Sequence, residues 1–160
     1  MLECATLRKN KAAGNGGAIS FAGTKLLAEG CAFRENHAEN GGAVSVAVGA
    51  DATFLGSDFV ENAASMSGGA ISNSGNLVVK RLRDCSFKCP DKRCSLARNN
   101  FAVKEGGFLY NTGTATAFLK RTKVIENVAA DGGGVFNENG AVFTKEKTTI
   151  KDNIPNDIVP

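Results

Sequence analysis

Phe33-Arg34-Glu35-Asn36-His37-Ala38-Glu39-Asn40-Gly41-Gly42-Ala43-Val44-Ser45 holds two short signatures whose recurrence decides the fold. The first is a Gly-Gly pair followed by small or apolar residues. It recurs as Gly16-Gly17-Ala18-Ile19, Gly41-Gly42-Ala43-Val44, Gly68-Gly69-Ala70-Ile71, Gly106-Gly107-Phe108-Leu109 and Gly132-Gly133-Gly134-Val135, at spacings of 25, 27, 38 and 26 residues. The second is an apolar residue followed three positions later by Asn. It appears as Leu7…Asn10, Phe33…Asn36, Phe59…Asn62, Val124…Asn127 and Ile150…Asn153. The long unit keeps Phe87 and Asn100, but 13 positions apart rather than 3. Two motifs held in phase through six units define an internal repeat.

Glycine pairs at this density would break helical repeats. Short apolar runs bounded by Gly, Asn and Asp read instead as strands between turns. The runs are Ala18–Phe21, Val44–Val48, Leu77–Val79, Ala117–Leu119 and Ala141–Thr144. Three such strands per unit of about 26 residues make one rung of a parallel β-solenoid, with rungs about 4.8 Å apart. Equivalent residues then stack in columns. Ile19, Val44, Ile71, Leu109 and Val135 form one expected core column, and Leu7, Phe33, Phe59, Phe87, Val124 and Ile150 another. Asn10, Asn36, Asn62, Asn100, Asn127 and Asn153 form an expected ladder of side-chain amides. The pairs Gly16-Gly17, Gly41-Gly42, Gly68-Gly69, Gly106-Gly107 and Gly132-Gly133 supply positive φ and close backbone approach at a tight corner.

Composition agrees. The 160 residues carry 19 Lys+Arg against 16 Asp+Glu, a net +3, too balanced for a histone-like or tail-type nucleic-acid binder. No apolar run is long enough for a membrane-spanning helix. Met1 to Asn10 lacks an apolar core, so no signal peptide is read there. With 19 Gly, 15 Asn and only three Pro, the chain suits a turn-rich β protein.

The paired motifs, here Gly41-Gly42-Ala43-Val44 and Phe33-Arg34-Glu35-Asn36, resemble those of chlamydial polymorphic membrane proteins. The resemblance implies an all-β, right-handed parallel β-helix of the pectate-lyase-like (pectin lyase-like) type. It also implies a cell-surface, outer-membrane or secreted location and an adhesin-like role. Residues 1–160 are expected to be one β-helix module of five to six rungs, a segment of a longer solenoid, with an insertion near 88–99. Membrane association would come only through a parent chain.

The expected function is a non-catalytic scaffold or adhesion module, with a host or matrix protein or an acidic glycan as partner and no nucleic acid. The alternative is a carbohydrate-active enzyme of lyase, hydrolase or epimerase type, which needs a cleft lined by three or more carboxylates beside an Arg or Lys. His37, the sole histidine, reads as an exposed turn residue, and no HExxH, GxSxG or P-loop pattern occurs. No catalytic residue, metal ligand or cofactor is assigned. Calcium is the weaker reading of Glu35 over Glu61 and of Glu126 over Asp152, like charges one rung apart that hard cations would relieve. Arg34 and Lys151 nearby relieve them more simply.

Charge concentrates in one place. From Lys80 to Arg98 the net charge is +5, against −2 for the rest. Lys80, Arg81, Arg83, Lys88, Lys92 and Arg93 are therefore the candidate contacts for an anionic ligand. Among the five cysteines, Cys4 and Cys31 lie on adjacent rungs, where a bridge is geometrically open. Cys31 and Cys85 are two rungs apart, beyond disulfide reach. Cys85, Cys89 and Cys94 surround the insertion. The odd count leaves a thiol or an intermolecular partner, and the disulfide and reduced readings both stay open.

Overall fold

The computed structural model describes residues 1–81 and 95–160. The chain winds through six rungs. The first carries β1 (Leu2–Glu3), β2 (Thr6–Arg8) and β3 (Ile19–Phe21), and the second β4 (Lys25–Glu29), β5 (Ala32–Arg34), β6 (His37–Ala38) and β7 (Val44–Val46). The third carries β8 (Asp51–Leu55), β9 (Asp58–Val60), β10 (Ala63–Ala64) and β11 (Ile71–Asn73). The fourth carries β12 (Asn76–Lys80), β13 (Leu96–Arg98), β14 (Phe101–Ala102) and β15 (Leu109–Asn111). The fifth has β16 (Thr116–Lys120), β17 (Lys123–Ile125) and β18 (Val135–Asn137), and the sixth β19 (Val142–Glu146), β20 (Thr149–Lys151) and β21 (Ile158–Val159).

Equivalent strands pair in parallel into three six-stranded faces. The first is β1-β4-β8-β12-β16-β19, the second β2-β5-β9-β13-β17-β20 and the third β3-β7-β11-β15-β18-β21. A short strip, β6-β10-β14, follows the second face along the rungs. No helix occurs among the described residues. The fold is a parallel β-solenoid.

The core fills the space between the faces because alternate residues of each strand point inward. Leu77 and Val79 of β12 are buried while Asn76 and Lys80 are exposed. Ile19, Val44, Ile71, Leu109 and Val135 lie in register on the third face. On the second face the column runs Leu7, Phe33, Phe59, Ala97, Val124, Ile150. Ala97, not Phe87, takes the fourth place, so the extra length of the long unit enters between Lys80 and Leu96. Phe87 lies outside the described residues. The volume missing at Ala97 is supplied on the same rung by Phe108, which stands where Ala18, Ala43 and Ala70 stand on other rungs. Phe108 is fully buried, with its ring centroid 5.8 Å from that of Phe59. Phe33 stacks on Phe59 at 4.8 Å, and Phe54 meets both edge-on.

Three polar columns line the buried corners, with Ser95 Oγ left without a partner among the described residues. In the first, Nδ2 of Asn10, Asn36, Asn62, Asn100 and Asn127 each donates to Oδ1 of the asparagine one rung on, at 2.8 to 3.0 Å. The backbone N–H of each donates to the same oxygen. At the far end Asp157 Oδ1 accepts both donors of Asn153. A second column, Asn73 to Asn111 to Asn137, runs between the third and first faces. The third is a hydroxyl column in which Ser57, Thr122 and Thr148 each donate to the carbonyl two residues earlier. Cys31 occupies the same place, and its thiol donates to the Glu29 carbonyl at 3.5 Å.

The glycine pairs divide two tasks. Gly41 has φ of +62°, a left-handed conformation that side chains disfavour. Gly42 has no such φ, but a Cβ there would strike the Gly69 carbonyl oxygen of the next rung. The same close approach recurs at Gly17, Gly69 and Gly107, so the second glycine lets adjacent turns touch backbone to backbone.

Candidate functional site

With the core closed, chemistry on this solenoid belongs to its outward columns. The acidic column before the ladder asparagines is the first. Lys9, Glu35, Glu61, Asn99, Glu126 and Asp152 all have φ between 53° and 59°, so this corner is left-handed without glycine. Among the described residues, three of its four carboxylates, all but Glu61, are matched by neighbouring cations. Arg8 reaches Glu35 Oε1 through Nη2 at 2.5 Å, Arg98 reaches Glu126 at 2.6 Å, and Lys151 reaches Asp152 at 2.7 Å. Arg8 fills the role expected of Arg34. The Arg8 hydrogen bond holds the Glu35 carboxyl below its ordinary value, and the Asp152 hydrogen bond raises Lys151. No group of three or more His, Cys, Asp or Glu suited to a metal occurs among the described residues. His37 is exposed on β6.

The second is a groove of about 580 Å³ on the second face, spanning the later rungs. Among the described residues, Arg81, Arg98, Arg121, Lys123 and Lys147 line it, with Asp58 as the single carboxylate. Leu96 and Ile125 supply half-buried apolar wall, and Thr149 an exposed hydroxyl. Asp58 is nearly buried, and its Oδ1 accepts the Leu96 N–H at 3.0 Å, which binds it to the scaffold.

Three of the five cations share one column. Lys80, Lys120 and Glu146 are in register, and the next residues are Arg81, Arg121 and Lys147. Arg81 N donates to the Lys120 carbonyl and Arg121 N to the Glu146 carbonyl, which carries the register through the corner. On the second and third rungs the same place holds Gly30 and Gly56, both at positive φ. Arg121 and Lys147 keep that conformation, at φ of 54° and 48°. Among the described residues no ion pair involves Arg121, Lys123 or Lys147. Lys120, one residue before the corner, pairs with Glu146 at 2.6 Å and holds that carboxyl below its ordinary value.

Of the anionic-ligand contacts read from the sequence, Arg81 lines the groove and Lys80 is exposed at the end of β12. Arg83, Lys88, Lys92 and Arg93 lie outside the described residues, as do Cys85, Cys89 and Cys94. Arg121, Lys123 and Lys147 were not among those contacts. Arg121 and Lys123 stand in the short basic run Lys120-Arg121-Thr122-Lys123, and the 26-residue phase from Gly30 and Gly56 brings Arg121 and Lys147 into one column. Cys4 is disulfide-bonded, whereas Cys31 is a buried thiol, so the bridge between these two does not form. The partner of Cys4 is not among the described residues.

The first rung carries both signatures between β2 and β3, with Asn10 in the ladder and Gly16-Gly17 at the corner. Residues 5–22 match the Chlamydia polymorphic membrane protein repeat. The matched segment covers two of the three faces of the first rung, β2 and β3, and the later rungs reproduce its marker residues in register. No curated protein and no solved structure matches the chain. A repeat of this kind points to a surface-associated β-solenoid protein, at the outer membrane or cell surface.

Proposed function

We propose that the chain is a non-catalytic scaffold and adhesion module, displayed at a cell surface or secreted, that holds host or matrix proteins or glycans along its side faces. The observation that carries this reading is the character of the groove: among the described residues five cations line it, of which Arg98 is paired with Glu126, and one carboxylate, already committed to a backbone N–H. A polysaccharide-cleaving cleft would need several carboxylates available to a cation or a sugar. The acidic column supports the same reading, since Glu35, Glu126 and Asp152 are matched by Arg8, Arg98 and Lys151 rather than left open to a cation or a sugar. The disulfide at Cys4 suits an oxidising exterior.

The test sets retention against turnover. Beads coated with the chain are incubated with cultured cells and, separately, with polygalacturonate, alginate and heparin while unsaturated or reducing sugar products are followed. Adhesion or glycan retention without product is the expected result. Product release above the uncoated control would overturn the reading in favour of a carbohydrate-active enzyme.

A further inference from the structure

We propose that the corner between the first and second faces on the last three rungs seats a linear acidic polysaccharide along the solenoid axis, its carboxylates or sulfates against Arg81, Arg121 and Lys147. This deepens the adhesive reading above and rests on it only in bringing the chain to extracellular glycans.

The spacing supplies the first reason. In-register cations on consecutive parallel rungs repeat every ~4.8 Å, close to the rise of one sugar unit in an extended polysaccharide. Anionic groups that face the corner can therefore meet cations on successive or alternate rungs without bending either polymer. The groove supplies the second. Lys123 widens the positive surface beside the corner, while Leu96 and Ile125 offer apolar wall to the C–H faces of the sugar rings. The Thr149 hydroxyl can bond a sugar hydroxyl.

Backbone conformation supplies the third. Glycine at the corner is free of Cβ strain, and Gly30 and Gly56 show that earlier rungs use it. Arg121 and Lys147 instead keep long cationic side chains at positive φ, as Cys4 does on the first rung, so the charge stands at the corner although glycine would relieve the strain. A single-stranded nucleic acid is the less suitable polyanion, because such sites stack bases on aromatic side chains and none of the described residues lining this groove is aromatic.

The probes are a fluorescent heparin octasaccharide and a fluorescent oligogalacturonide, titrated with the full chain at low and physiological salt. Binding that weakens as salt rises is expected, since exposed charges are screened over about 8 Å at physiological ionic strength. Arg121→Gly with Lys147→Gly should lower affinity by about tenfold or more, through loss of two focused charges. Its thermal midpoint should be unchanged or higher, because glycine suits the conformation. Lys11→Ser with Lys104→Ser removes the same charge elsewhere on the surface and should leave affinity within about twofold, as screened distant charges contribute little.

Equal loss in both double variants would overturn the proposal in favour of diffuse charge. Unchanged binding in the glycine variant would overturn it outright. So would displacement of either glycan by oligo(dT) of matched charge as effectively as by unlabelled glycan. If the glycine variant still adheres to cells while wild type binds neither glycan, this seat is rejected and the adhesive role stands. Sugar product released from the probes would reject the adhesive role itself.

Discussion

Phe108 and Phe59 meet across the core from different faces and adjacent rungs, their ring centroids 5.8 Å apart and planes inclined at 57°. This contact exists because Ala97 occupies the column place that Phe59 fills one rung earlier. The fourth rung has exchanged its large residue: aromatic at the glycine corner, small on the second face. Other rungs do the reverse, as with Phe33 and Ala43.

The exchange predicts a coupling. Phe108→Ala should destabilise by about 3–5 kcal/mol, because a fully buried ring leaves a cavity that stacked rungs cannot collapse. Ala97→Phe alone should overpack by about 1–3 kcal/mol. The double variant should recover part of the loss, with a coupling of roughly 0.5–3 kcal/mol in denaturant melts. Strict additivity would mean that the two residues do not share one volume.

The asparagine ladder makes a graded prediction. Asn62→Ala removes the oxygen that accepts both the backbone N–H and Nδ2 of Asn36. Buried donors left without partners lose about 1–3 kcal/mol each. Asn10→Ala, at the exposed end where no earlier rung donates to it, should matter far less. Equal effects in thermal melts would contradict a one-directional ladder.

Glycine corners separate strain from collision. Gly42→Ala drives a Cβ into the Gly69 carbonyl and should cost more than Gly49→Ala, where φ is +77° but nothing lies within 4 Å. The Gly49 change should be limited to the left-handed penalty of about 1–2 kcal/mol. A Gly42→Ala variant as stable as wild type would show that neighbouring turns can spread apart.

Cys31→Ser should be tolerated, with a change of about 1 kcal/mol or less, since a hydroxyl there regains the net worth of an ordinary hydrogen bond. Ser57 and Thr122 already make that bond on later rungs. A large loss in the melt would show that Cys31 matters through its sulfur.

Acid should weaken the fold in a defined direction. Glu35, Glu138 and Glu146 are all held below their ordinary value of 4.5. Hydrogen bonds are the leading cause: from Arg8 to Glu35, from Thr112 to Glu138 and from Lys120 to Glu146. A carboxyl depressed in the folded state contributes stability that is complete above its unfolded value and lost as pH falls through the folded one. The thermal midpoint should therefore decline as pH drops below about 4.5, and Glu138→Gln should flatten part of that decline. A triple Gln variant with the wild-type slope would place the acid sensitivity elsewhere.

The rung, its length and most of its columns were legible in the sequence, because in a parallel solenoid one period of sequence is one turn of structure. Gly41-Gly42 and Asn36 mark corners whose chemistry tolerates little else, so their spacing carries the register directly. Phe87 misled for the complementary reason. In the long unit the apolar mark recurs at Phe87, while the strand that pairs with Phe59 is Leu96-Ala97-Arg98, and alanine carries no signal of its own. Only the stacked core, with Phe108 filling the space, identifies Ala97 as the column residue.

The corner cations belong to the same class. Arg121 and Lys147 stand in a column that the second and third rungs fill with glycine and the first with Cys4, and the sequence alone does not show that they share it. Local patterning reports what a strand buries and where a turn must bend. Which outward side chains converge on one groove depends on how successive rungs superpose, and that is decided by backbone register and the packing of the whole stack.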